Sequence, residues 1–413
     1  MSILSSYKQL ERPIYYLIFA EFLLQCINAT FLVLVNYYLL DLGYKDYEIA
    51  KFVSYRYISV LILGVPFGLL YKRIQLLPMI KIGAVLFIVN AIAIILIAPL
   101  HSNLAMTILM FLFGVFLLMS HVVSLPFLLK ITSKDNLSIS LSLFFQTWGA
   151  SVMTVGIVSF IYNKILTNYS SEKTIILTIF ILASIAIILL YKIPKNIEVK
   201  AQEMEDIAET KPNDKETRNI FYLLLPTLII AVGAGFSIPF FNLFFFYTYQ
   251  MSSDSYSIVL GLSHLIVIIF MMFTPWIQSK LGYQKGIVGI QSLGIICLIV
   301  MVWANQFFSL SIAYVLSVTF FILRQPLMNS AQPIITNYKM SVIGKKNQAL
   351  IGSIEATIWS GSFWFSSIIF AELRKIDLSY STIFNITIVL YIIGALSWYF
   401  IIRKLGKNSN QSL

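Results

Sequence analysis

The sequence predicts an all-α, multi-pass membrane protein: twelve transmembrane helices in two pseudo-symmetric six-helix bundles. Three observations carry that prediction. Hydrophobic residues make up 59% of the 413 residues and charged residues only 11%, against about 25% charge in a soluble domain. The apolar residues fall into long runs, which at membrane depth must be helices because only a helix satisfies its own backbone. The layout of the first two runs recurs near residue 240, which marks a duplication.

The runs give spans at roughly 14–40, 46–71, 78–99, 104–131, 137–165, 173–192, 219–249, 254–279, 285–305, 307–335, 346–372 and 378–403. The first is too long for a signal-peptide core and is kept as a span. The expected domains are 1–192, a cytoplasmic linker at 193–218, and 219–413. The linker mixes Glu203, Glu205, Asp206, Glu209, Lys211, Asp214, Lys215 and Glu216 around Pro194 and Pro212, as a solvated connector does.

Lys and Arg set the orientation. Segments on one side, including Lys8, Lys72, Arg73, Lys134, Lys339, Lys345 and Arg403, hold 21 of them; the opposite side, with Lys45, Lys51, Lys164, Lys173, Arg374 and Lys375, holds 6. The positive-inside rule then places both termini in the cytoplasm. The net charge of +11 follows from this asymmetry and calls for no nucleic-acid partner. Cys26 and Cys297 both lie in apolar spans, so neither a disulfide nor a metal site is expected.

The repeat is explicit. Asn36, Asp46, Arg56 and Pro66 in the first half match Asn242, Asp254, His264 and Pro275 in the second, with ten residues from the acid to the base in both. Trp148 and Trp359 correspond more loosely. Two such halves suggest a transporter with its site between them.

At this point the chain resembles the major facilitator superfamily, over its whole length. The loop after the second span in that family reads Gly-x-Leu-x-Asp-Arg-x-Gly-Arg. Here Gly68-Leu-Leu-Tyr-Lys72-Arg73-Ile-Gln75 keeps the first Gly and the Arg; Lys72 replaces the Asp and Gln75 the second Gly. The second copy keeps Lys280 and Gly282, with Ser279 at the Asp position. Gly233-Ala-Gly-Phe-Ser-Ile-Pro239-Phe-Phe-Asn242 looks like the start of the family's second half. The Gly-Pro antiporter signature is absent from Gly149-Ala-Ser-Val-Met-Thr-Val-Gly156. The resemblance implies that spans 1, 4, 7 and 10 line a central cavity, supported by 2, 5, 8 and 11.

Ionisable groups inside spans are expensive and mark function. Six lie near mid-span: Glu21, Arg56, His121, His264, Arg324 and Glu355. None falls in spans 3, 6, 9 or 12, which the resemblance makes peripheral. Glu21, Gln25 and Asn28 form one stripe at i, i+4, i+7. Gln325, Asn329, Gln332 and Thr336 form another, with Arg324 one step aside. Glu21 and Glu355 are the candidate proton carriers, because intramembrane carboxyl and imidazole groups build proton relays; His121 and His264 are candidate relays. The alternative for Glu21 is a permanent ion pair with Arg56 or Arg324, and for Glu355 a pair with Arg324. Arg56 and Arg324 are candidate anion contacts. Asn242, Gln146, Trp148 and Trp359 are further candidate substrate contacts. Gly64, Pro66, Gly68, Arg73, Gly233, Gly235, Pro239, Lys280 and Gly282 are candidate hinge, packing or gating positions.

No catalytic constellation appears: there is no phosphate-cradling glycine loop and no metal-binding helix motif. An enzyme is not expected, nor a cofactor. The expected function is secondary active transport of a small molecule across the cell membrane by a monomer in the lipid bilayer, coupled to protons, with a lean towards efflux of an amphipathic compound. Proton-coupled uptake of a small anionic nutrient and lipid flipping are the alternatives.

Overall fold

The computed structural model describes residues 10–70, 74–133, 136–165, 171–194, 197, 214–343 and 348–409. Among them every regular element is helical. The first span is α1 (Arg12–Val33) and α2 (Val35–Asp41); the second is α3 (Asp46–Leu70) and the third α4 (Leu76–Ile97). The fourth is α5 (Asn103–Leu117), a π-turn at Leu118–Val122, and α6 (Val123–Ile131). The fifth is α7 (Leu137–Ile165), and the sixth is α8 (Glu172–Ala183) with α9 (Ile185–Tyr191). The second half follows with α10 (Asp214–Ser237), α11 (Phe241–Tyr249), α12 (Ser253–Met272), α13 (Thr274–Phe307), α14 (Leu310–Val342), α15 (Gln348–Lys375) and α16 (Tyr380–Ser409).

Among the described residues, ten helical stretches are long and apolar enough to cross a membrane by length and composition. The two predicted spans outside that set, α3 and α15, have 25 and 28 residues. At 1.5 Å per residue both exceed the roughly 30 Å hydrocarbon thickness. Asp46, Glu48, Lys51 and Arg56 lie on α3, and Glu355, Glu372, Arg374 and Lys375 on α15.

Three boundaries differ from expectation, each for a local reason. The seventh span breaks between α10 and α11 at a 3₁₀ turn, Ile238–Phe240, where Pro239 has no N–H to continue the ladder. The eighth ends at Met272 and the helix restarts at Thr274 with proline in its first turn; the reversal before the ninth span falls at Gly282, with φ 66° and ψ −176°. That backbone region is essentially confined to glycine. The tenth span runs on to Val342 rather than stopping near 335.

The chain divides into two compact units. The first holds Met1–Lys45, Tyr55–Ile207 and Ser252–Gly261; the second holds Asp46–Ser54, Ala208–Met251 and Leu262–Leu413. In the first, α1 packs along α7 and α8. Its aromatic core joins Phe31 to Phe113 at 4.2 Å and Phe87 to Phe113 at 4.7 Å between ring centroids. In the second, α10 packs along α15 and α16, and Phe240 stacks on Phe370 at 3.8 Å. The opening residues of α3 belong to this second unit. There Asp46 accepts from Arg374 Nε at 2.5 Å and from the Tyr380 hydroxyl at 2.9 Å, and Lys51 pairs with Glu372 at 3.3 Å.

Several glycines mark close helix contacts, as small residues do in membrane bundles. A Cβ on Gly114 would collide with Ser59 Oγ and the Arg56 carbonyl; one on Gly235 would lie 2.8 Å from Ser366 Cβ, and one on Gly233 would lie 3.0 Å from Tyr391 Cδ1. Gly64 faces open space. Pro66 is carried inside α3, which continues to Leu70 and includes Gly68. Arg73 lies outside the described residues.

Candidate functional site

The stripe on α1 is buried in the first unit. Glu21 is 1% exposed, Gln25 3% and Asn28 8%. Their common face follows from the i, i+4, i+7 spacing alone. The side chain that meets them comes from the π-turn. Pro126 provides no N–H for the carbonyl of Val122, four residues earlier, and its ring crowds that carbonyl. The helix widens there into the i→i+5 pattern over Leu118–Val122. Such bulges re-aim side chains and recur at functional sites. His121 lies within this one.

His121 Nδ1 pairs with Glu21 Oε1. Gln25 Nε2 donates to the same carboxylate oxygen at 3.0 Å and lies 2.7 Å from His121 Nδ1. Asn28 Nδ2 donates to Gln25 Oε1 at 2.9 Å, and Arg56 Nη2 donates to Asn28 Oδ1 at 2.5 Å. Glu21 Oε2 is buried with no hydrogen-bond partner. A buried carboxylate oxygen left unmatched is costly. Five predicted residues, Glu21, Gln25, Asn28, Arg56 and His121, thus form one connected cluster.

Arg56 is not the counter-ion of Glu21, contrary to that alternative expectation; the imidazole occupies the place. Its guanidinium lies over the rings of Phe113 at 5.0 Å and Tyr57 at 5.3 Å. Nε is buried without a partner, and no carboxylate of a described residue lies within ion-pair distance. Gly114 allows α5 to approach α3 beside it.

The second unit separates its charged groups. Arg324 is 1% exposed and donates from Nη2 to the Tyr391 hydroxyl at 3.2 Å, between the rings of Phe241 and Tyr391. The expected Arg324–Glu355 pair does not form. Glu355 pairs instead with Lys339, which also donates to Thr227 Oγ1 at 2.7 Å and faces the Trp398 ring. The sequence suggests a cytoplasmic segment for Lys339, beside Lys345 and Lys346. The longer α14 buries it to 3% exposure. A lysine at i, i+4 from Ile335 and i+8 from Ala331, both buried, is the available signal.

No family model and no curated protein matches the sequence. Solved structures match in shape. A bacterial homologue of the iron transporter ferroportin, in its inward-facing state, superposes with a TM-score of 0.73 at 12% identity over 97% of this chain and 99% of its own. The D-xylose–proton symporter gives 0.73 at 12% identity over 94% and 97%. The nucleoside transporter NupG gives 0.73 at 11% identity over 95% and 99%. The chain has the major facilitator fold.

Asn242 is 1% exposed, its Oδ1 accepting from Leu243 N at 2.8 Å. His264 is buried in α12. Along α14, Gln325 is half-buried and Asn329 exposed, with Asn329 Nδ2 bonded to the Gln325 carbonyl at 2.8 Å. Gln146 is exposed, Trp148 half-buried, and Trp359 half-buried against Phe363. Lys280 is exposed next to the Gly282 reversal.

Proposed function

We propose that this chain is a secondary active transporter, not an enzyme. It moves a small molecule across the cell membrane as a monomer, with both termini cytoplasmic and with residues 1–192 and 219–413 as its two halves. Transport is coupled to protons through Glu21 and His121. The observation that supports this most is the Glu21–His121 contact inside the first unit. It places a carboxyl group with one unmatched oxygen against an imidazole, the two groups that most often pass protons within membrane proteins. His121 keeps a third of its side chain accessible while Glu21 is enclosed, so a proton can reach the pair through the imidazole.

The test is flux in proteoliposomes under an imposed pH gradient, with metabolite mixtures as cargo and internal pH read by a trapped dye. Wild type should move protons only when cargo is present. Glu21→Gln fixes the group in a form resembling its protonated state, so exchange of cargo across the membrane should persist while gradient-driven accumulation is lost. Accumulation unaffected in Glu21→Gln would remove Glu21 from the coupling step. Cargo moving with the protons marks symport, and cargo moving against them marks exchange.

A further inference from the structure

One group sets the direction of every hydrogen bond in the Glu21 cluster. A guanidinium can only donate, whereas each amide has one accepting and one donating end. Arg56 takes Asn28 by Oδ1, so Asn28 must present Nδ2 to Gln25 Oε1. Gln25 must then present Nε2 to Glu21 Oε1 and to His121. Residues 28, 25 and 21 step along one face of α1, so the chain of bonds runs straight from Arg56 to the carboxyl–imidazole pair.

That ordering creates a conflict at its far end. Gln25 Nε2 and Glu21 Oε1 both approach His121 Nδ1. If Nδ1 carries a proton towards Glu21, the Gln25 amide is left with His121 Nε2, 3.1 Å away, as its acceptor, and an imidazolium would leave it none. If Nδ1 accepts from Gln25, Glu21 needs a proton to bond to the imidazole. The position of the proton in the pair therefore depends on which way the amides point, and Arg56 decides that.

Arg56 has capacity to spare. It is half-buried, and its buried Nε has no partner. The flanking rings of Tyr57 and Phe113 attract the cation but do not neutralise it. The planar fork of a guanidinium matches a carboxylate or phosphate with two parallel bonds.

We propose that Arg56 receives an anionic cargo, a small carboxylate or phosphate compound, and that Asn28 and Gln25 relay its arrival to Glu21 and His121 so that anion and proton bind together. This rests on the assignment of that pair as the proton site. The anion's oxygens take the N–H groups that Asn28 Oδ1 now accepts. Asn28 is then free to turn, and Gln25 is no longer held with Nε2 on the Glu21 carboxylate. The ionised carboxylate loses a donor, and a proton from water joins the pair in its place. The charge count agrees, since the added negative charge is offset by one proton. No bond other than hydrogen bonds and the one to the proton changes.

The groups facing the pair are few. Gln25 comes from α1, α7 presents the Phe144 ring stacked on His121 at 6.1 Å, and Arg56 of α3 reaches the pair only through Asn28 and Gln25. No second carboxylate among the described residues contacts the cluster. By linkage, a proton on the pair tightens the anion by the factor with which the anion tightens the proton. Gln25 and Asn28 are positioning residues, and Arg56 is the contact.

The experiment uses full-length protein in lipid-free detergent, titrated with acetate, lactate, succinate and inorganic phosphate. Calorimetry in two buffers of different ionisation enthalpy counts the protons taken up. At least one of these anions should bind saturably with uptake of about one proton, and its affinity should fall about tenfold per pH unit over the titration range. Arg56→Gln should weaken binding at least tenfold. If that variant aggregates, Arg56→Lys, which keeps the charge and loses the fork, should weaken it as well. Asn28→Leu and Gln25→Leu should still bind the anion, with a flattened pH profile and no proton uptake.

Absence of binding by all four anions overturns the proposal. So does proton release, unchanged affinity in the arginine variants, or an unchanged pH profile in both amide variants. The two readings fail separately. Proton-driven flux of neutral or cationic cargo alone would keep the transporter and remove the anion. Anion binding with proton uptake but no flux in proteoliposomes would do the reverse.

Discussion

Lys339 and Glu355 form one ion pair, but their surroundings differ. The lysine side chain is 3% exposed and the glutamate 25%. Removing the glutamate leaves an uncompensated ammonium between Thr227 and Trp398; removing the lysine leaves a carboxylate that water reaches. Glu355→Leu should therefore cost about 3–5 kcal/mol, the usual cost of breaking a buried pair, and Lys339→Met clearly less. The double variant should recover most of the loss. Thermal unfolding in detergent measures all three, and equal losses in the two single variants would contradict the asymmetry. Residue identity makes part of this legible in advance. Glu21, Gln25 and Asn28 announce a shared face by spacing. Their meeting with His121 spans 100 positions and depends on a π-turn that hydropathy does not reveal. Lys339 escapes a reading by sequence because its neighbours Lys345 and Lys346 suggest a loop.

At the scale of helices, two glycines have opposite reasons to be there. Gly114 is required by a neighbour: any side chain would strike Ser59 and the Arg56 carbonyl on α3. Gly114→Leu should push α5 from α3, move the Arg56 guanidinium off Phe113 and weaken anion binding about as much as Arg56→Gln. Binding unchanged at normal thermal stability would show that the contact does not position the arginine. Gly282 is required by its own backbone: a Cβ there would meet nothing within 4 Å, yet φ is +66°. Gly282→Ala should cost about 1–3 kcal/mol through strain alone, measured as a lower unfolding temperature. No loss would mean the reversal relaxes freely. Helix existence is readable from apolar runs, and charge-bearing α3 and α15 are recognisable from their length. The break at Phe273 and the extension of α14 are not, because they depend on which backbone groups find partners rather than on apolarity.

For the molecule as a whole, the fold follows from hydropathy and the internal repeat, and the superpositions agree with it over almost the entire chain. Its orientation in the membrane is testable without transport. Cys26 and Cys297 are buried, so the native chain should resist a membrane-impermeant maleimide. Ser379→Cys, exposed in the turn before α16, should label in intact cells; Ser133→Cys, exposed after α6, should label only once the membrane is opened. The opposite pattern would invert the topology. The Asp46–Arg374 pair bears on biosynthesis. Its partners are 328 positions apart, and a ribosome adding 5–20 residues per second needs about 15–65 s between them. Throughout that interval the nascent chain holds an aspartate and the start of a helix whose counter-charge has not yet been made. Completion of this part of the second unit must await the end of translation, and a chain truncated before α15 should be an early substrate for membrane proteolysis.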